Sequence, residues 1–155
     1  MLDKMVFAMI KARLGETVPF AKHLGLTLND VDAGYAVAVL PDAASNANHL
    51  GSQHAGALFT VADTASGAAV AATFGQKILG LRPVVKEASV RFVKLARGPI
   101  TATARVAGDL KALAREVDDQ GRVAFPVDVT LADSAGVEVA AMTFSWHVSK
   151  PRPAA

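Results

Sequence analysis

Cysteine is absent from the 155-residue sequence, and aromatic residues are scarce, with seven Phe, one Trp and one Tyr. Without cysteine the chain has no disulfide framework, thiol nucleophile, thiolate zinc site or iron–sulfur cluster. This absence fits the reducing cytoplasm, where we expect the protein. A net charge of +2 is too small a basic excess for a general nucleic-acid binder. With 19% charged and 52% hydrophobic residues, most of the chain is not disordered.

Alanine is abundant, at 31 residues by count of the sequence. The length is typical of one core, so we predict a single domain over residues 1–150 that begins with an amphipathic helix over 1–15. Residues 151–155 are expected to form a disordered tail. Small side chains bury little apolar area each, so further burial between subunits of a homo-oligomer would stabilise the fold.

Hydrophobic periodicity predicts strands on both sides of one long helix. An Ala-rich helix is expected over 54–74 and stops at Gly75. It follows a hairpin over 24–40 and a polar loop over 41–53. Period-two alternation then predicts strands over 84–95, 100–107, 125–131 and 140–148. The segment 109–121 fits either a short helix or a turn. The fold class is α+β, with one curved antiparallel sheet wrapped around the central helix.

The central helix is long and apolar enough to require a membrane check. Asp63 lies at its middle, and a carboxylate there makes membrane insertion costly. The first residues of the chain lack the apolar region of a signal peptide. We therefore predict a buried core helix, and neither a membrane nor a nucleic acid as partner.

The start of this helix and Asp63 are the candidate chemical groups. Unpaired N–H groups at a helix N-terminus stabilise negative charge, although Ser52 could equally cap an ordinary helix start. A carboxylate among Ala and Val is costly to bury unless it is paired or functional, so Asp63 is either a reactive group or a dimer-interface carboxylate. Five residues at helical spacing share its face, and the glycines leave room for a ligand or a partner: Gly56, Phe59, Asp63, Ser66 and Gly67.

The distance along the helix constrains how these groups act together. Ala55 and Asp63 are eight residues apart, which corresponds to about 12 Å along the axis. One helix therefore cannot present an N-terminal N–H and this carboxylate to the same carbonyl. If both act, they come from two protomers at a two-fold interface.

The sequence from His54 to Asp63, HAGALFTVAD, closely resembles the His-Gly-Gly-x-Leu-Phe-x-Leu-Ala-Asp signature of hotdog-fold acyl-CoA thioesterases of the phenylacetic-acid-degradation (PaaI) type. Asn48 lies where that family has its catalytic Asn. Residues 90–94 and 101–106, with Gly98 between them, resemble the family's third and fourth strands. The resemblance covers about residues 19–148, and its motif is more specific for the superfamily than for a substrate.

The resemblance implies a hotdog fold that dimerises through the strand near 84–95 and is often doubled to a homotetramer. It also implies a role for each motif residue. Asp63 matches the general base or nucleophile, Ala55 the backbone oxyanion donor, and Asn48 the group that orients the carbonyl or water. His54 braces the loop, and Gly56 is the second glycine of the signature. The reaction implied is hydrolysis of an acyl-CoA, with coenzyme A as part of the substrate and no separate cofactor.

Two residues depart from the family pattern. Ala55 replaces the first glycine of the signature. Alanine keeps the backbone N–H, but its methyl group narrows the approach to that N–H. Gly67 stands where some relatives have a Thr that positions water, so Ser66 or Thr64 would have to substitute. The segment 109–121 is also longer than a minimal hotdog hairpin. It resembles thioesterase-like hotdog proteins of unassigned activity.

Basic residues in and after the long strand are candidates for coenzyme A phosphates, with solvated strand edges as the alternative reading. They are Arg82, Lys86, Arg91, Lys94 and Arg97, of which Arg91 and Lys94 lie in the resembling segment. His49 and His54 have no third ligand nearby, so no metal site is predicted.

Two alternatives to a thioesterase stay open. One is a catalytically silent hotdog module that binds acyl-CoA or a fatty acid. The other is a hotdog dehydratase or isomerase that uses His49 or His54 with Asp63, although the sequence lacks that family's hydration motif.

Overall fold

The computed structural model describes residues 2–152, which form four α-helices and six strands. In chain order they are α1 Leu2–Thr17, α2 Pro19–His23, β1 Thr27–Asp32, β2 Tyr35–Leu40, α3 Ala55–Phe74, β3 Arg82–Phe92, β4 Ile100–Val106, α4 Leu110–Gln120, β5 Arg122–Ala132 and β6 Glu138–Ser149. Short 3₁₀ segments, Ala44–Asn46 and Gly75–Gly80, flank α3. Met1 lies outside the described residues, and so do residues 153–155 of the predicted tail.

The six strands form one antiparallel sheet in the order β1-β2-β4-β5-β6-β3, with α3 packed against it. This arrangement confirms the predicted α+β class with a central helix. The strands β1 and β3 form the two edges. On the edge strand β3 nearly every residue is exposed, in contrast to its neighbour β6.

The strand pattern follows from alternating side chains. In β5 and β6 the buried residues recur at every second position, and they are mostly Val, Phe, Trp and Leu. This face packs on α3, because the indole N–H of Trp146 in β6 donates to the Ser66 hydroxyl of α3 at 3.2 Å. The opposite face carries Thr, Ser and charged side chains.

The long helix α3 ends where Gly75 predicts, but it begins at Ala55, one residue later than predicted, and its N-cap is not Ser52, whose hydroxyl is bonded to Asn48. His54 is the extended N-cap residue, and Gly75, with φ of 56°, ends the helix. The stretch Ala55–Gly80 is long and apolar enough to cross a membrane, but 67% of its most apolar window is buried inside the fold. It is therefore the core helix, as predicted.

The N-terminal elements differ from the predicted bounds. The helix α1 runs two residues past Gly15, to Thr17. The predicted Pro19 turn is the short helix α2, whose first position takes Pro because that N–H needs no partner. The first hairpin strand consequently starts at Thr27 rather than at residue 24.

Two later elements also differ. The strand β3 ends at Phe92 rather than at residue 95, because the N–H groups of Val93 and Lys94 both donate to the carbonyl of Val139, at 2.8 and 3.1 Å. The ambiguous segment is the helix α4, capped by the Asp109 carboxylate and ended by Gly121 at φ 74°.

Candidate functional site

The N-terminus of α3 is held by the side chain of the residue before it. His54 Nδ1 accepts the N–H of Gly56 at 2.9 Å, and the His54 N–H donates to the carbonyl of Asn46 at 2.8 Å. A Cβ on Gly56 would lie 3.1 Å from His54 Nδ1, so glycine leaves the room that the ring occupies. The His54 ring therefore caps the helix start, and its backbone N–H ties α3 to the loop before it.

Replacing His54 by alanine is expected to lower the free energy of unfolding by about 1 kcal/mol, the usual cost of a lost N-cap. His49→Ala is the matched control, since His49 is exposed in the same loop and its side chain has no hydrogen bond within residues 2–152. Urea unfolding of both variants measures the difference. Equal stability of the two variants would contradict the capping role.

The first N–H of α3 remains available. Within residues 2–152 the N–H of Ala55 donates to no acceptor, and Ala55 is exposed. The neighbouring Gly56 N–H is taken by His54. Of the two N–H groups, Ala55 is therefore the one that can bind a developing oxyanion.

The loop before α3 is ordered by its own side chains. Asn48 Oδ1 accepts the N–H groups of Leu50 and Ser52 at 2.9 and 3.1 Å, and its Nδ2 donates to the Ser52 hydroxyl at 2.9 Å. The half-buried Asn48 amide is thus engaged within the loop.

Gln53 anchors the same loop to the segment before β4. Its N–H donates to the carbonyl of Ala96 at 2.8 Å, and its Nε2 donates to the carbonyls of Pro41 and Gly98 at 3.1 and 2.9 Å. Gln53 is buried. Its role is not readable from the sequence, because the partners in the 96–98 segment are more than 40 residues away along the chain.

Asp63 lies half-buried in the middle of α3. Within residues 2–152 its carboxylate accepts no hydrogen bond and forms no salt bridge. Burial raises the pKa of the Asp63 carboxyl above the usual value of an aspartate, because desolvation penalises the charged form. Because of this raised pKa, the ionised carboxyl of Asp63 is a stronger base than an exposed aspartate.

The raised pKa of Asp63 predicts a pH-dependent stability. The folded state favours the protonated carboxyl, so the ionised form lowers stability as the pH rises through the raised folded-state pKa. We expect Asp63→Asn to be more stable than the wild type at about pH 8, and this advantage to vanish below about pH 3.9, where both states of the wild type are protonated. Urea unfolding of both proteins across this range tests it. An advantage that does not change with pH would contradict the burial argument.

One face of α3 stays open beside Asp63. Phe59 is 37% exposed, and its ring packs against Phe144 with centroids 5.3 Å apart. Gly67 is half-buried, and a Cβ there would lie 3.6 Å from the Trp146 ring, an ordinary contact. Packing within the chain therefore does not require glycine at 67, and the space beside it opens outward.

Ser66 does not share this open face. It is fully buried, accepts from Trp146 and donates to the carbonyl of Asp63 at 2.9 Å. The hydroxyl of Thr64 donates to the carbonyl of Thr60 at 2.8 Å. Both hydroxyls therefore donate to carbonyls within α3.

The edge strand β3 borders the open face. Val85 of β3 pairs with Trp146, and Val90 pairs with Met142. The two valines are 36% and 39% exposed, and they lie on the side of the sheet that carries α3. Arg91 points to the other side, where it forms a loose 3.9 Å pair with Glu138. Lys94 is exposed after the strand.

The structure thus brings Phe59, Asp63 and Gly67 together on one open apolar surface, and places Ala55 and Gly56 at the end of the same helix. The polar side-chain atoms of Asn48 and Ser66 instead bind partners within the chain. No group of three or more metal-ligating side chains occurs in the part of the chain that the structure describes.

Residues 7–148 match the family model described as "Domain of unknown function (DUF4442)". The chain belongs to this family. Among solved structures, the DUF4442 chain is similar to PA5026 from Pseudomonas aeruginosa, a protein of unknown function described as a probable thioesterase. The two are 29% identical with a TM-score of 0.81, over 93% of this chain and 95% of that one. No curated protein matches the sequence.

Two further structures share the fold with this DUF4442 protein. The Escherichia coli PaaI protein, from the phenylacetic acid degradation operon, is 23% identical with a TM-score of 0.74, over 96% of this chain and 95% of that one. A hypothetical thioesterase with coenzyme A from Streptococcus pneumoniae is 24% identical with a TM-score of 0.64, over 83% and 88%. These neighbours confirm the predicted hotdog fold and the resemblance to PaaI and thioesterase-like proteins.

Proposed function

We propose that this protein is a thioesterase that hydrolyses an acyl-CoA to the free acid and coenzyme A. The observation that carries the proposal is the Asp63 carboxyl, half-buried on the open face of α3 without a hydrogen-bond partner in the described chain. Structural neighbours named as thioesterases support the reaction type. The acyl-CoA substrate and the lack of cysteine support a cytoplasmic location.

The reaction needs a base and an oxyanion donor. In the base route, Asp63 takes a proton from water as the water oxygen adds to the thioester carbonyl. The Ala55 N–H stabilises the resulting oxyanion, whose collapse breaks the C–S bond and releases the coenzyme A thiolate, which is then protonated. In the covalent route, the Asp63 carboxylate attacks the thioester carbonyl, and the C–S bond breaks to release the coenzyme A thiolate, which is then protonated. Water then hydrolyses the mixed anhydride, which frees the acid and regenerates Asp63. Both routes need Asp63 ionised.

We propose that the two groups come from different protomers. Ala55 and Asp63 of one helix are separated by about 12 Å along the axis, too far to serve one carbonyl. The exposed edge strand β3 offers unpaired backbone groups beside the open face of α3. Antiparallel pairing of β3 with its copy would continue the sheet and bring the second helix alongside.

The protein is therefore expected to be a dimer or larger at micromolar concentration. Val90→Lys, which places a charge on the exposed apolar side of β3, should shift it toward monomer and reduce turnover at least tenfold, since a composite site is lost. Val137→Lys is the matched control, because Val137 is 38% exposed, like Val90 at 39%, but lies in the turn before β6. Light scattering with parallel activity assays checks both. A wild-type monomer that still turns over substrate would contradict the shared site.

One or two of the basic residues of β3 and the loop after it are proposed to bind the coenzyme A phosphates. Arg82, Lys86, Arg91, Lys94 and Arg97 are all exposed on or after the edge strand that borders the open face. Ammonium and guanidinium groups bind phosphate through charge-assisted hydrogen bonds. The S. pneumoniae structure with coenzyme A supports this ligand class.

Release of free thiol from a panel of acyl-CoA substrates, aliphatic and aromatic, tests the proposed reaction. We expect turnover with at least one acyl class. Binding of an acyl-CoA without thiol release would favour the silent binding module instead. One observation supports that alternative: the Asn48 amide, implied to orient carbonyl or water, is engaged within its loop.

A further inference from the structure

A cavity lies at the C-terminal end of α3, away from the open surface around Asp63. Its volume is about 760 Å³, and it is bounded by the C-terminal turn of α3, the helices α1 and α4 and the β1–β2 turn. Phe74 is 11 residues beyond Asp63, so the cavity is about 16 Å along the helix from the proposed reaction centre. The proposed thioesterase mechanism does not use it.

The cavity wall is largely apolar. Phe7 of α1 and Leu110 and Ala114 of α4 line it, together with Ala72 and Phe74 at the end of α3. Leu110 is fixed in place because its methyl groups pack over Gly34, 2.9 Å from where a Cβ there would lie. Phe74 is held from behind by Phe125, with ring centroids 6.0 Å apart. These contacts make the wall a preformed surface for an apolar group.

The charges at the cavity favour an anion. Three lysines line it, and one of them, Lys77, is paired with Asp118 at 2.6 Å. The other two, Lys4 and Lys111, form no salt bridge with the side chains that the structure describes, which are those of residues 4–152. Asp32 also lines the cavity, and its carboxylate accepts the Ala33 N–H at 2.7 Å. Lys4, Lys111 and Asp32 together leave one net positive charge at the cavity, which attracts an anionic head group.

We propose that this cavity binds a long-chain fatty acid as its carboxylate, with the tail against Phe7, Phe74 and Leu110 and the head group beside Lys4 and Lys111. An apolar wall lined also by cationic groups of α1 and α4 fits an amphipathic anion. The site is independent of Asp63, so a catalytically inactive variant binds equally well.

Titration with cis-parinaric acid, a fluorescent fatty acid, tests the proposal in wild-type protein and in Asp63→Asn. We expect saturable binding at one molecule per chain in both, displaced by dodecanoate. Methyl dodecanoate, which lacks the charge, should displace the probe at least about tenfold less well than dodecanoate. No binding, or a methyl ester that competes as well as dodecanoate, would overturn the proposal.

Two variants locate the binding. Lys4→Glu/Lys111→Glu should weaken binding at least about tenfold, because two attractive charges become repulsive. Lys22→Glu/Arg115→Glu makes the same change in net charge with residues outside the cavity and should bind within about twofold of wild type. Ala114→Trp, which fills the apolar wall, should also weaken binding at an unchanged melting temperature. Wild-type affinity in both cavity variants would place the fatty acid elsewhere and refute this site.

Discussion

Asp63→Asn is expected to reduce acyl-CoA turnover by about a hundredfold or more, the scale of a lost general base. Asparagine keeps the shape of the side chain but has no charge to accept a proton or attack a carbonyl. Because burial raises the pKa of Asp63, the wild type should lose activity as the pH falls through that raised value, at a higher pH than an exposed aspartate would require. Thiol release measured across pH for both proteins checks the two expectations together.

Stability separates this role from a structural one. The melting temperature of Asp63→Asn should be unchanged or higher at neutral pH, since a buried charge without a partner is removed. Asp42→Asn, at an exposed position in the loop after β2, is the matched control and should keep wild-type turnover. Near-wild-type turnover of Asp63→Asn with a sharply lower melting temperature would instead make Asp63 an interface carboxylate and favour the binding module.

Local signals in the sequence predicted the central helix and its open face. Gly75 ends α3 as predicted because a C-terminal glycine acts on neighbouring backbone groups, whereas the N-cap is His54 and not the expected Ser52. The alternation in β6 was readable because every second side chain faces the core. Phe59, Asp63 and Gly67 share a face because their spacing follows the helical period.

Long-range contacts determined what the sequence could not predict. The spacing of Ser66 places it beside Asp63, yet Trp146, 80 residues later, draws its hydroxyl into the core. The helix in the segment 109–121 has local caps at Asp109 and Gly121, and Leu110 also packs it on Gly34 of a distant turn. The end of β3 likewise depends on β6, because the carbonyl of Val139 in β6 accepts the N–H groups of both Val93 and Lys94.

Ala55→Pro is expected to reduce turnover by about a hundredfold to a thousandfold, the effect of removing one oxyanion donor. The substitution suits its position, since Ala55 is the first residue of α3, where proline is favoured and the lost N–H has no intrahelical partner. The preceding His54 has φ of −65° and ψ of 140°, an extended conformation compatible with a following proline. The helix α2 already begins in this way, with Pro19 after the extended Val18.

Ala55→Gly is the matched variant, because it shortens the side chain and keeps the N–H. The variant should retain most of the activity, and it has glycine at the first glycine position of the thioesterase signature. Thiol release, with circular dichroism melting to show that the proline variant folds, compares the two. If the N–H is the oxyanion donor, Ala55→Pro should lower kcat more than it raises KM, since the interaction forms mainly in the transition state. A folded Ala55→Pro protein as active as Ala55→Gly would show that the oxyanion is stabilised by another group.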